Sequence, residues 1–500
     1  MITMDIEELL NQAGICLNNN DSETAQEILE ELEKMELTPK LKYAISQLLR
    51  DLGFKTQNMD YIDQAIINFE ELEYFGFEDI NFSLGTAYAL KYQLLEDKPN
   101  YLTKNYKDHL LFKSKKALKE ELSVNPNVDL RTTLMNLANV YDDIGRTVEA
   151  IGYYEYIIEQ CGSAYALLNK GISLYNYSSF INNPTPILSE AYDYFKFLLN
   201  DSRSSIELKQ KASFYIGKIK FLFDENILDE NPSSELERPS NESFEGFSIN
   251  YCLDNRLYLN LCNFCQRCEN SVGDNLVIEK MIREFVDDVE DDLFLVLSSY
   301  LNQIKMDYVS ARFLLMLSQF EDFDLDVITK HVYIMDTQFA EENDIRVQLL
   351  KDSFKNFFNI LDKISYFLNQ YLDLAIPQNR VQFRNIWFKN GNKKEGINDK
   401  LLEMDNVGLT ALYDIYLEVE YGNEKEYLRK TRNNLTHKYL RITNNKRNET
   451  DKTVEELQDE TIEIAILAKN AIFYLMRLIK INEELREEDL GIDFHFVDEN

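Results

Sequence analysis

The stretch LMNLANVYDDIGRTVEAIGYYEYII, Leu134–Ile158, decides how the first half of the chain is read. Leu137, Ala138 and Tyr141 form one apolar run, Ala150, Tyr154 and Ile157 a second, and Gly145 stands between them. Each run has the spacing of one face of a helix. The pattern predicts two helices folded back on each other, with small residues at close approaches and large ones filling the gaps.

Weaker copies surround it: Ala13, Cys16, Ala25 and Leu29; Ser46, Leu49, Ala65 and Phe69; Gly85, Tyr88 and Ala117; Gly171, Ala191 and Phe195; and Gly217, which opens a final half repeat. The spacing resembles the tetratricopeptide repeat (TPR) family. That resemblance implies a stack of helix pairs, each burying its apolar face against its neighbours. An unrelated α-helical stack is the alternative.

Composition agrees with helices. The 500 residues include only 16 Gly and 8 Pro, too few for the many tight turns of a sandwich, barrel or βαβ sheet. The net charge of −34, from 53 Lys+Arg against 87 Asp+Glu, excludes a general nucleic-acid coat. Hydrophobic content of 45% is enough for a large core, so the acidity does not imply disorder. The start, MITMDIEELL, is acidic and does not read as a signal peptide. The longest uncharged run, Gly171–Ser189, contains Asn182, Asn183, Pro184 and Pro186 and would be a costly membrane span. A cytoplasmic protein without membrane contact is expected. Its six cysteines are expected to be reduced thiols.

Residues 228–247, LDENPSSELERPSNESFEGF, are acidic and rich in Ser and Pro and read as a linker. This gives a helical repeat domain at 1–227 and a second domain at 248–500. The second domain is also helical, with helices expected at 273–303, 306–320, 351–374, 399–421, 424–441 and 453–486. The fold class is therefore all-α, a repeat array followed by a helical bundle.

The chemistry concentrates in Tyr427–Leu440, YLRKTRNNLTHKYL. Asn433 and His437 are four apart and share a helix face. Arg432 lies about 140° round from His437 at 100° per residue. A His exchanges protons near neutral pH, an Arg grips a phosphate, and the RNA 2′-hydroxyl supplies its own nucleophile. A surface His and Arg on a solvated helix is the bland alternative. Local charge bears on the choice. From Glu424 to Arg447 there are eight Lys/Arg and two acids, and Pro377–Lys394 has five Lys/Arg and no acid. Arg429, Lys430, Lys438 and Arg441 in the first window, and Arg380, Arg384 and Lys389 in the second, are the candidate RNA contacts. The second window also holds Phe383, Phe388 and Trp387, the chain's one tryptophan. These rings suit either base stacking or core packing.

The stretches LDNRLYLNLC (253–262), VSARFLLM (309–316), FFNILDKISYFLNQYLDL (357–374), VQFRNIW (381–387) and LRKTRNNLTHKYL (428–440) resemble a bacterial, repeat-associated branch of the HEPN superfamily. The resemblance implies a helical bundle that dimerises and a metal-independent endoribonuclease with an Arg-x4–6-His motif. Here that motif is Arg432 and His437, with Asn433 as the polar residue after the Arg. It further implies a composite site built from two copies, products with 2′,3′-cyclic phosphate and 5′-hydroxyl ends, and a role in toxin or anti-phage systems. No cofactor is expected. The expected partners are RNA (tRNA or mRNA), a second copy of the chain, and a protein or peptide trigger on the repeat array.

Other residues weigh less. Where this branch would have a Pro-containing loop, the chain reads LCNFCQRC. Cys252, Cys262, Cys265 and Cys268 are either incidental thiols or a zinc set of unusual spacing. Asp287, Asp288, Asp291 and Asp292 fit a solvated acidic helix better than a Mg²⁺ site. His109, His331 and His495 have no partner pattern. Walker A, GxGxxG and GxSxG motifs are absent. A non-catalytic adaptor, whose second half only dimerises or binds RNA, is the competing class. A TPR-type transcriptional regulator lacks a basic recognition helix.

Overall fold

The computed structural model describes residues 6–103, 105–178, 184–222, 236–260, 262, 269–276, 293–333, 341–342, 344–420 and 422–489. These fall into two compact units, Met1–Lys170 and Gly171–Asn500.

The first unit is a run of helices: α1 (Ile6–Asn18), α2 (Ser22–Leu32), α3 (Pro39–Thr56), α4 (Met59–Leu72), α5 (Ile80–Leu94), α6 (Leu110–Val124), α7 (Leu130–Ile144) and α8 (Thr147–Cys161). Each packs on the next in sequence, as expected where connections are short. Local chemistry sets the ends. Asp21 caps α2 by accepting the Thr24 N–H (3.2 Å), and Asp129 caps α7 through the Thr132 N–H (3.2 Å). Gly145, at φ +90°, ends α7, and the Arg146 N–H returns to the Tyr141 carbonyl at 2.7 Å, the six-to-one bond of a Schellman cap. Leu137, Ala138, Tyr141, Ala150, Tyr154 and Ile157 are all buried.

The small residues sit where helices crowd. A Cβ on Gly85 would lie 2.7 Å from Cγ of Leu118, so α5 and α6 could not keep their separation with alanine there. His109 is a satisfied core histidine: Nε2 meets the Pro99 carbonyl at 3.1 Å and Nδ1 accepts the Leu111 N–H at 3.2 Å. Burial lowers its pKa.

Helix α9 (Ala164–Ser178) carries the chain past Lys170 into the second unit, which opens with α10 (Thr185–Asn200) and α11 (Ile206–Leu222). Gly171 repeats the crowding, since its Cβ would meet Phe195 at 2.7 Å. Gly217 has no atom within 4 Å of a Cβ, so packing gives no reason for that glycine.

The rest of the second unit comprises α12 (Phe244–Asp254), α13 (Leu293–Gln319), α14 (Asp326–Thr329), α15 (Ile345–Tyr371), α16 (Asp399–Leu402), α17 (Val407–Val419), α18 (Glu426–His437) and α19 (Val454–Asp489). The expected linker, 228–247, is described only from residue 236, as coil and turn up to α12. The break expected near 304 does not occur. Ile304, Tyr308, Ala311 and Leu315 are buried and keep one face apolar straight through α13. The expected helix at 399–421 is instead split. Asn406 accepts the N–H groups of Gly408 (2.9 Å) and Leu409 (3.2 Å) and donates to the Leu478 carbonyl (3.0 Å), so a new helix starts there.

Helices α13 and α15 pack together, and α15 and α17 both pack on α19. Gly408 lets α17 touch the α19 backbone: its Cβ would stand 2.5 Å from the Leu478 nitrogen. The family-like stretches at 253–262 and 309–316 meet through Arg312. It pairs with Asp274 at 2.7 Å and donates to the Leu257 carbonyl at 3.0 Å. Among the described residues β structure is limited to isolated bridges. No described helix is long and apolar enough to cross a membrane.

Candidate active site

Helix α18 is polar, yet Leu428 and Thr431 are buried. They hold one side of it down. Thr431 donates to Glu460 of α19 at 2.8 Å, Lys425 pairs with Glu463 of α19 at 2.7 Å, and Tyr427 donates to the same Glu463. These contacts fix the rotation of α18 and decide where its other residues point.

Arg432 turns toward α15. Its Nη2 lies 3.8 Å from Oδ2 of Asp362, its guanidinium is 5.8 Å from the Phe358 ring centroid, and its Nη1 meets Oδ1 of Asn433 at 3.5 Å. His437 is the last residue of the helix and is exposed. The next residue, Lys438, is extended, and its N–H closes the helix on the Asn434 carbonyl at 3.2 Å. Beyond it the chain is braced: Tyr439 donates to Glu341 at 2.6 Å, and Arg441 pairs with Glu341 at 3.1 Å and Asp451 at 3.7 Å. Helix α18 thus carries an exposed imidazole on its last residue and, five residues earlier, a guanidinium held from the α15 side. An imidazole can exchange a proton and a guanidinium can neutralise a phosphate.

The candidate RNA contacts separate into two groups. Arg429 faces Glu420 (3.8 Å) and Glu426 (3.5 Å), Lys430 faces Glu426 (3.3 Å), and Lys389 faces Asp399 (2.7 Å). Arg441 has the two acids already named. By contrast, Arg384 and Lys438 are exposed and make no ion pair among the described residues. Arg380 gives only a hydrogen bond, to the Asn390 carbonyl at 3.2 Å.

The aromatic residues of 377–394 are core. Trp387 is 0% exposed, Phe383 3% and Phe388 4%. Trp387 packs edge-on against Phe383 and Tyr413. The base-stacking option is therefore set aside for these rings, because their faces are already covered.

Asp362 is the residue that motif reading missed. It accepts the Phe383 N–H at 2.8 Å, which joins the 377–394 loop to α15 beside Arg432. Burial pushes its carboxyl above the usual range, against the opposing pull of the Phe383 amide, Arg432 and Arg384. The sequence holds only a local oddity at this position, with nothing to join it to Arg432. Leu350, Phe354 and Phe358 form an apolar i, i+4 row, and Asp362 continues it with a charge.

Cys252 and Cys262 are buried, and burial pushes the Cys252 thiol up to about 12, which keeps it protonated. Cys265, Cys268, Asp287, Asp288, Asp291, Asp292 and His495 lie outside the described residues. Among the described residues no group of three or more His, Cys, Asp or Glu is placed to hold a metal.

No curated protein matches the chain. Residues 290–482 match the family model described as LA2681-like HEPN. That segment contains α13 to α18, most of α19 and every residue of the site above, so it is this part of the chain that is similar to LA2681-like HEPN domains.

Proposed function

We propose that the chain is a metal-independent endoribonuclease whose site is Arg432, Asn433 and His437. The observation that carries this reading is the last turn of α18, where an exposed His437 ends the helix that also holds Arg432 and Asn433, inside a segment matched as HEPN. His437 takes the proton of an RNA 2′-hydroxyl as its oxygen attacks the adjacent phosphorus. Arg432 stabilises the charge building on the phosphoryl oxygens, and Asn433 orients the pair. The P–O5′ bond breaks, and the leaving oxygen takes a proton from the His437 of a second copy. The products carry a 2′,3′-cyclic phosphate and a 5′-hydroxyl. Two-fold symmetry sets a residue against its own copy, so a homodimer through 248–500 completes the site. Arg384, Arg380 and Lys438 guide the RNA, a tRNA or mRNA, while Arg429, Lys430, Arg441 and Lys389 contribute once their acids are displaced.

The region 1–227 acts as a TPR-like sensor that binds a protein or peptide trigger, in a cytoplasmic toxin or anti-phage system. Purified protein incubated with tRNA and total RNA in EDTA tests the reading, with and without lysate from phage-infected cells. Cleavage is expected from the wild type and lost in both Arg432→Ala and His437→Ala. Intact RNA in every lane favours the non-catalytic adaptor.

A further inference from the structure

We propose that Asp362 is a positioning residue of this site: from α15 it holds the Arg432 guanidinium and ties the loop carrying Arg384 to the same point, so that two cations address one RNA backbone. The inference rests on the ribonuclease reading above.

Asp362 has two handles. One oxygen takes the Phe383 N–H at 2.8 Å and the other lies 3.8 Å from Nη2 of Arg432. The first fixes the carboxylate to the loop, so the second is not free to follow a wandering arginine. Phe358, one turn back on α15, supplies a ring 5.8 Å from the guanidinium carbon. An Arg side chain gripped by an anion and a ring face has lost most of its rotamers before substrate arrives. The pair is not sealed. The Arg432 side chain is 25% exposed and that of Asp362 28%, so a phosphate reaches the guanidinium without local unfolding. Arg432 and Arg384 together exceed the one carboxylate by a positive charge, which leaves the spot attractive to an anion.

The carboxylate is also expensive to keep. Its carboxyl is pushed above the usual range even with an amide donor and two arginines beside it, so its ionised form works against folding. A charge kept at such cost, on an otherwise apolar helix row, points to work other than stability.

Full-length Asp362→Asn and Asp362→Glu test this. Asparagine keeps an acceptor for the Phe383 amide and removes only the charge. Three quantities are read in EDTA: single-turnover cleavage of RNA, affinity for an uncleavable 2′-O-methyl RNA, and the melting midpoint. The expected result for Asp362→Asn is cleavage slowed about 10-fold or more, affinity unchanged or tighter, and a midpoint unchanged or higher. Asp362→Glu, which restores the charge, should recover part of the rate. Asp362→Asn cleaving at the wild-type rate overturns the inference alone. A clearly lowered midpoint assigns Asp362 to the fold and also overturns it. A wild type that leaves RNA intact overturns the ribonuclease reading and this inference with it.

Discussion

The two basic windows of the second unit look alike in sequence and differ in the fold. Residues 424–447 carry the larger local excess of cations, yet most are answered by nearby acids: Lys425 by Glu463, Arg429 by Glu420 and Glu426, Arg432 by Asp362, Arg441 by Glu341 and Asp451, and Lys446 by Glu456. Residues 377–394 carry fewer cations, but Arg380, Arg384 and Lys394 make no ion pair among the described residues. The windows exchange roles. The helical one holds the proposed catalytic residues and is largely neutralised around them, whereas the loop turns its rings inward and leaves its arginines to solvent. Local charge counts locate a site; the acids folded against it determine which cations remain for a ligand.

Substitutions can break this contrast. The largest effect is expected at His437→Ala and Arg432→Ala, each slowing cleavage by about 100-fold or more, measured under single turnover. Next comes Trp387→Ala, which should lower stability by about 3–5 kcal/mol in denaturant unfolding. The same change in an exposed stacking residue would leave stability nearly unaltered. Smaller still, Arg384→Ala should weaken binding of uncleavable RNA severalfold and lower the salt slope by about one. Arg429→Ala should weaken binding less than Arg384→Ala does, because Glu420 and Glu426 must first be displaced from its charge. Equal losses at Arg384 and Arg429 would erase the distinction between the windows.

The smallest effect concerns pH. The Asp362 carboxyl is raised in the folded chain, so its ionisation costs stability that appears as pH rises from the unfolded value through the folded one. Asp362→Asn should therefore match the wild type in acid and be modestly more stable at neutral pH. An Asp362→Asn variant less stable at neutral pH than in acid, relative to wild type, would reverse the sign.

The helices were largely legible because their signals are local. The seven spaced residues of 134–158 define two packed apolar faces, and Phe354, Phe358, Leu361, Ile364, Phe367, Leu368 and Tyr371 mark α15 by the same periodicity. The misses concern interruption. Asn406 starts a helix only because Gly408 and Leu409 are free to donate and the Leu478 carbonyl is near, which no local pattern contains. The proposed site could be named as a motif, since Arg432, Asn433 and His437 lie within one helix. Asp362 could not, because it joins them from 70 residues away in sequence and its meaning depends on which face of α18 Leu428 and Thr431 bury. The pairing of Arg441 with Glu341 and Asp451 is hidden for the same reason.

The central claim is that the end of α18 cuts RNA by transfer to its own 2′-oxygen, and the ends of the products test it most directly. Wild-type protein in EDTA should leave fragments with 2′,3′-cyclic phosphate and 5′-hydroxyl ends, and His437→Ala should leave the RNA whole. Fragments with 5′-phosphate ends, or equal cleavage by His437→Ala, would contradict the account.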